Sequence, residues 1–152
     1  MPLIRGRLDN RRAIVDVGLQ PSTTLIAGVS PVDSPAVIDI RPMRGLLDTG
    51  AQMTCVTRSA AARAGLHPRG KKRLGNVSSI EMHTAYVFVL GVWYEIDEGQ
   101  SQNRTRGYYG FDPIMGCDFK DNEDFDVLIG MDLIGRGNFS TTRDGEFLWD
   151  LP

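Results

Sequence analysis

Cysteine and histidine are scarce in this chain of 152 residues, with two of each. Cys55 and Cys117 form no CxxC pair, and His67 and His83 stand apart, so the spacing that holds zinc is missing. Two reduced thiols, at least one of them buried, are expected. No apolar run is long enough to span a membrane. The opening MPLIRGRLDN is too charged and too poor in apolar residues for a secretory signal, so a cytoplasmic setting is expected. A basic surplus is lacking too: 17 Lys and Arg face 19 Asp and Glu, a net charge of −2. Phosphate binding needs a basic face, so nucleic acid is not expected as a partner. The longest basic run, Lys71-Lys72-Arg73 near Arg69, reads as a solvated loop.

What remains is ordinary in composition, 41% apolar and 24% charged, and fits one domain over residues 1–152. Strand signals dominate. Ala13 to Leu19 is short, β-branched and partly alternating, and Pro21-Ser22 breaks it. Thr24 to Val29 and Ala36 to Ile40 read as strands separated by SPVDSP. Ile80 to Tyr94 is the longest strand-like stretch, with Gly91 expected to end or kink it. Helix signals are few. Thr57 to Leu66 contains three consecutive alanines, a cap at Thr57 or Ser59, and a stop at Gly65. A second short helix begins near Met131 and ends at Gly135 or Gly137. Residues 97–124 are polar with scattered aromatics and no period, which reads as an insertion or long loop. The fold class is mostly β, closed or nearly closed, with one or two short helices.

The most informative stretch is GLLDTGAQMT, residues 45–54. Two leucines drive an apolar strand directly onto Asp48, where a carboxylate is costly to desolvate without a role. Gly50 permits a tight turn and leaves its amide open, Thr49 offers a hydroxyl, and Asp48 is fixed at the end of a rigid element. One carboxylate cannot serve as general base and general acid in a single step. Two close together can, because they share a proton and titrate as a unit. The chain has one DTG, so a second Asp48 must come from another copy across a two-fold axis. FDVLIGMDLI, residues 125–134, supplies a short apolar strand that could cross behind the turn, with Gly130 allowing close backbone packing.

Other chemistry-bearing residues have plainer readings. His83 is expected to be structural, Tyr86 to belong to the core, and Cys55 to pack on a strand with no histidine to activate it. Trp93, Tyr94, Tyr108 and Tyr109 could shape a pocket or cover one end of the fold. The acids in DFKDNEDFD, residues 118–126, lack a calcium-loop pattern and read as a solvated loop. Neither a metal nor a cofactor is expected.

With these motifs in place, the chain resembles the retropepsin-like aspartic proteases. GLLDTGAQMTCV matches the family's apolar pair, Asp-Thr-Gly-Ala and following Thr, and DVLIGMDLIGRG looks like its second element. The Ala-rich helix ending AGL is more similar to bacterial single-domain members than to the viral enzymes. The resemblance implies a small closed β-barrel of acid-protease type. It implies Asp48, Thr49 and Gly50 as the catalytic turn, with Thr49 bonding across a homodimer axis. Ala51, Ile129 and Gly130 would border the peptide. A flap would form around Gly75, Asn76, Val77 and Ser78. Viral members carry Arg after the glycine of the second element. Here Met131 stands there, so that helix must be anchored differently. The expected function is an aspartic endopeptidase acting on a peptide or protein, with the terminal segments Leu3 to Leu8 and Glu146 to Leu151 as candidate dimer seams. The alternative is a non-catalytic dimerisation or peptide-binding module of the same fold.

Overall fold

The structure, a computed structural model, describes residues 2–22, 40–75, 80–96 and 105–152. Period-two burial sets the first strands. In β2 (Ala13–Pro21), Ala13, Val15, Val17 and Leu19 point into the core, and in β3 (Arg41–Leu47) Met43, Gly45 and Leu47 do so. The two pair antiparallel from Ala13↔Leu47 to Leu19↔Arg41. The expected strand Thr24 to Val29 lies outside the described residues, as does Ala36 to Asp39 of the next one.

β9 (Val127–Ile129) decides the local topology. It runs parallel to β3, with Leu47 opposite Ile129, and antiparallel to β4 (Cys55–Thr57). The strand entering the DTG turn and the strand leaving it therefore never pair with each other; β9 lies between them. This is the crossing that the VLIG run suggested. β4 then pairs parallel with β8 (Ile114–Phe119), which pairs with the long β6 (Ile80–Ile96). β6 also pairs with β2, so the path β2-β3-β9-β4-β8-β6 returns to its start. β5 (Pro68–Gly75) and β7 (Thr105–Gly110) each attach to β6.

Several expectations need correction. Lys71-Lys72-Arg73 lies in the strand β5, paired with β6, and not in a loop. Gly91 neither ends nor kinks β6: the ring of Tyr108 lies over it, and a Cβ there would stand 2.2 Å from Tyr108 Cζ. The glycine makes room for an aromatic cover on a continuous strand. Within 97–124, residues 105–110 and 114–119 are the strands β7 and β8 and not loop. Gly107 and Gly110 hid β7 from a propensity reading, yet Gly107 lies beneath the ring of Tyr94 in the same manner.

The first helix, α1 (Arg58–Arg63), is capped by Thr57, whose hydroxyl accepts the Ala60 N–H at 3.0 Å. Gly65 follows at φ +67°, the left-handed stop that a glycine supplies without steric cost. A second, three-stranded sheet is built from β1 (Leu3–Arg7), β11 (Glu146–Asp150) and β10 (Asn138–Thr141) in the order β1-β11-β10. Its inward residues Ile4, Phe147 and Trp149 join the core of the larger sheet, and Trp149 stacks on Phe111 at 5.7 Å.

Candidate active site

Asp48 directly follows the buried Leu47, at the end of β3. Its N–H donates to the Ile129 carbonyl at 2.8 Å, extending the β3–β9 ladder by one rung. Its own carbonyl accepts the Ala51 N–H at 3.1 Å and closes the turn. The carboxylate Oδ1 accepts the Gly50 N–H at 2.9 Å, and among the described residues this is its one side-chain hydrogen bond. Oδ2 is thus left available on a half-buried side chain whose backbone is fixed at both ends.

The chain beyond the turn is tied to the second element. α2 (Met131–Ile134) starts at Gly130, which offers no capping side chain. Its first N–H groups are satisfied by carbonyls from the turn: Met131 donates to Ala51 at 2.8 Å and Asp132 to Gln52 at 3.2 Å. Asp132 returns the contact through its carboxylate. Thr54 Oγ donates to Oδ1 at 2.6 Å and the Thr54 N–H to Oδ2 at 3.0 Å. The same hydroxyl accepts the Gly130 N–H at 3.1 Å. Thr54 is fully buried, so each of these polar groups depends on the others. This network answers how the helix is held where Met131 replaces the arginine of viral members. Gly130 fits only as glycine, because a Cβ would stand 2.7 Å from the Met53 backbone.

The residues singled out from the sequence divide into two groups. Asp48, Thr49, Gly50, Ala51, Ile129 and Gly130 come together at this joint. Thr49 and Gly50 are exposed and Ala51 is half-buried, while Ile129 and Gly130 are buried behind the turn. Gly75 stands at the end of β5, on the other side of the sheet path, opposite Ile80. Asn76, Val77 and Ser78 lie outside the described residues. Sequence reasoning passed over Asp132, whose partner Thr54 lies 78 residues away; its one local signal was an acid in the first turn of a helix.

Two features surround the turn. An open cavity of about 450 Å³ lies beside Thr49, lined by Met131, Ile134, Gly137, Asn138 and Phe139. On the sheet, Leu46, Leu128, Cys55 and Cys117 stand in register across β3, β9, β4 and β8, and the first three are partly exposed. The acids of 118–126 do not converge. Asp118 accepts the Thr84 N–H at 3.1 Å, and its main-chain carbonyl accepts His83 Nδ1–H at 2.6 Å. Asp121 accepts the Ser59 N–H at 2.8 Å, Asp124 pairs with Arg12 at 3.4 Å, and Asp126 pairs with Arg63 at 2.7 Å.

The family model described as aspartyl protease matches residues 34–133, which takes in the DTG turn, Thr54 and most of α2. The chain belongs to the aspartyl protease family. A solved structure of a retropepsin-like aspartic protease from Rickettsia conorii superposes with a TM-score of 0.56 over 98% of this chain and 93% of that one. At 13% identity this likeness establishes a shared fold. No curated protein matches the chain. Among the described residues, no helix is long and apolar enough to cross a membrane.

Proposed function

We propose that this aspartyl protease family member is one subunit of a homodimeric endopeptidase, with the two Asp48 carboxyls facing each other across the axis. One observation carries the reading. Asp48 is fixed by its backbone at the end of β3, in the one DTG turn of the chain, and the same turn of a second copy supplies the second acid. In the pair, like charges in contact cannot both ionise cheaply, and one proton is shared. The ionised Asp48 takes a proton from water as the water oxygen bonds to the scissile carbonyl carbon. The protonated Asp48 gives its proton to the carbonyl oxygen. The tetrahedral diol then collapses: the C–N bond breaks, the amine leaves with the proton held by one Asp48, and a diol hydroxyl gives its proton to the other as the carbonyl re-forms, which restores the singly protonated pair. No covalent bond to the enzyme forms.

Thr49 and Gly50 complete the catalytic turn, and Thr49 is exposed as a bond across the axis requires. The cavity beside Thr49 and the edge of β10, which among the described residues pairs only with β11, fit the second copy. Of the two terminal segments expected at the seam, β11 lies between β1 and β10, whereas β1 is an edge of the same sheet. The peptide lies extended against Ala51 and the Leu46–Leu128–Cys55 row, bonded through its backbone with alternate side chains in pockets. The β5–β6 hairpin, carrying Gly75 and Asn76 to Ser78, closes over it. Apolar residues flanking the cut are the preferred substrates.

Asp48→Asn tests this directly. Peptide cleavage should vanish, while the sedimentation coefficient and thermal midpoint remain those of the wild type. Undiminished cleavage by the variant would exclude Asp48 as the acid. Binding of peptides without cleavage by either protein would favour the non-catalytic module.

A further inference from the structure

The two cysteines of the chain are direct partners. Cys55 on β4 and Cys117 on β8 face each other in a parallel ladder, which places their side chains on one side of the sheet. Adjacent strands stand about 4.8 Å apart, inside the Cα window of about 4.4–6.8 Å that a disulfide spans. The Cys55 sulfur lies 3.8 Å from the Met53 carbonyl. Their accessibility is unequal. Cys55 is half-buried, whereas Cys117 is fully buried. Cys55 also belongs to the partly exposed row with Leu46 and Leu128 that runs beside Asp48.

We propose that Cys55 and Cys117 form a two-thiol oxidation site, at which a small-molecule disulfide enters through Cys55 and is displaced by Cys117. The Cys55 thiol loses its proton to solvent, and its sulfur attacks one sulfur of a disulfide such as oxidised glutathione. That S–S bond breaks and one small thiol leaves, protonated by water. The Cys117 thiolate then attacks the Cys55 sulfur of the mixed disulfide and the second small thiol leaves. The balance is two protein thiols oxidised to one disulfide, and one small disulfide reduced to two thiols. Cys117 acts second because the incoming molecule cannot reach it, while the Cys55 sulfur is its ladder neighbour.

The surroundings set the pH dependence. Burial raises both thiols above the ordinary range. Cys117, Asp132 and Asp118 add to this for Cys55, and Asp118 does so for Cys117. The Cys117 N–H offsets part of it for Cys55, and Lys72 on β5 for Cys117. Both groups are therefore thiols at neutral pH, and oxidation is slow there. Its rate should climb by about tenfold per pH unit through the alkaline range, following the thiolate fraction. The site goes beyond peptide hydrolysis and stands whether or not Asp48 cleaves a peptide bond.

The test is incubation of the full chain with oxidised glutathione at two alkaline pH values, followed by intact-mass analysis and non-reducing peptide mapping. The wild type should lose two hydrogens, carry no glutathione at the end point, and yield a linked Cys55–Cys117 peptide. Cys117→Ser should stop with one glutathione on Cys55, and Cys55→Ser should remain unmodified. The proposal is overturned if the wild type retains glutathione or stays reduced while its urea-unfolded form oxidises. Modification of Cys55→Ser as fast as Cys117→Ser would overturn the order of attack. The wild-type map decides the matter even if a variant does not fold.

Discussion

At the scale of single residues, the turn depends as much on Asp132 as on the DTG triplet. Asp132 accepts both polar hydrogens of the buried Thr54, which in turn accepts the Gly130 N–H. Replacing it by Ala strands a buried N–H and a buried hydroxyl. We predict that Asp132→Ala lowers stability by about 3 kcal/mol in a urea titration, with peptide cleavage falling as well. Asp132→Asn keeps an acceptor for the hydroxyl and should lose less. A smaller effect is expected at the other cap: Thr57→Ala removes the bond to Ala60 and should cost about 1 kcal/mol by the same measurement. These two residues mark what the sequence does and does not disclose. Thr57 was legible because its partner is three positions away in a helix. Asp132 was not, because hydrogen bonds across 78 residues leave no local pattern.

At the scale of elements, β9 between β3 and β4 is the feature that fixes the turn. Its presence was readable from VLIG, since a short apolar run ending in glycine reads as a strand with a close backbone neighbour. The joint tolerates no side chain at two glycines. A Cβ at Gly130 would meet the Met53 backbone at 2.7 Å, and one at Gly116 would meet the Thr54 carbonyl at 2.3 Å. Both obstacles are main chain, which cannot rotate away. Gly116→Ala and Gly130→Ala should each destabilise by about 2 kcal/mol or more, seen as a lowered urea midpoint at unchanged m-value. The nearest atoms to a Cβ at Gly91 belong to the Tyr108 side chain and not to backbone, so Gly91→Ala should cost less. The strands β7 and β8 were not legible. Their glycines and polar residues weaken strand propensity, and their place in the sheet comes from pairing with β6 and β4, which are distant in sequence.

At the scale of the whole molecule, the two sheets share one core, and the smaller one closes α2 from behind. Trp149 is fully buried and its indole N–H donates to the Ile134 carbonyl at 3.2 Å, at the end of that helix. The mostly β class and the retropepsin-like fold were readable from motif and composition. The closure of the terminal strands within one chain was not, because pairing of β1 with β11 inside a molecule or between molecules asks for the same residues. Symmetry remains the central claim: one carboxylate per chain, two per active unit. It is tested most directly by subunit mixing at saturating substrate. Wild-type chain at fixed concentration is re-equilibrated with increasing Asp48→Asn chain, and peptide cleavage is followed. If the active unit needs two intact Asp48 residues, activity per wild-type chain falls in step with the wild-type fraction of all chains. Activity per wild-type chain that does not change, however much variant is added, would contradict it.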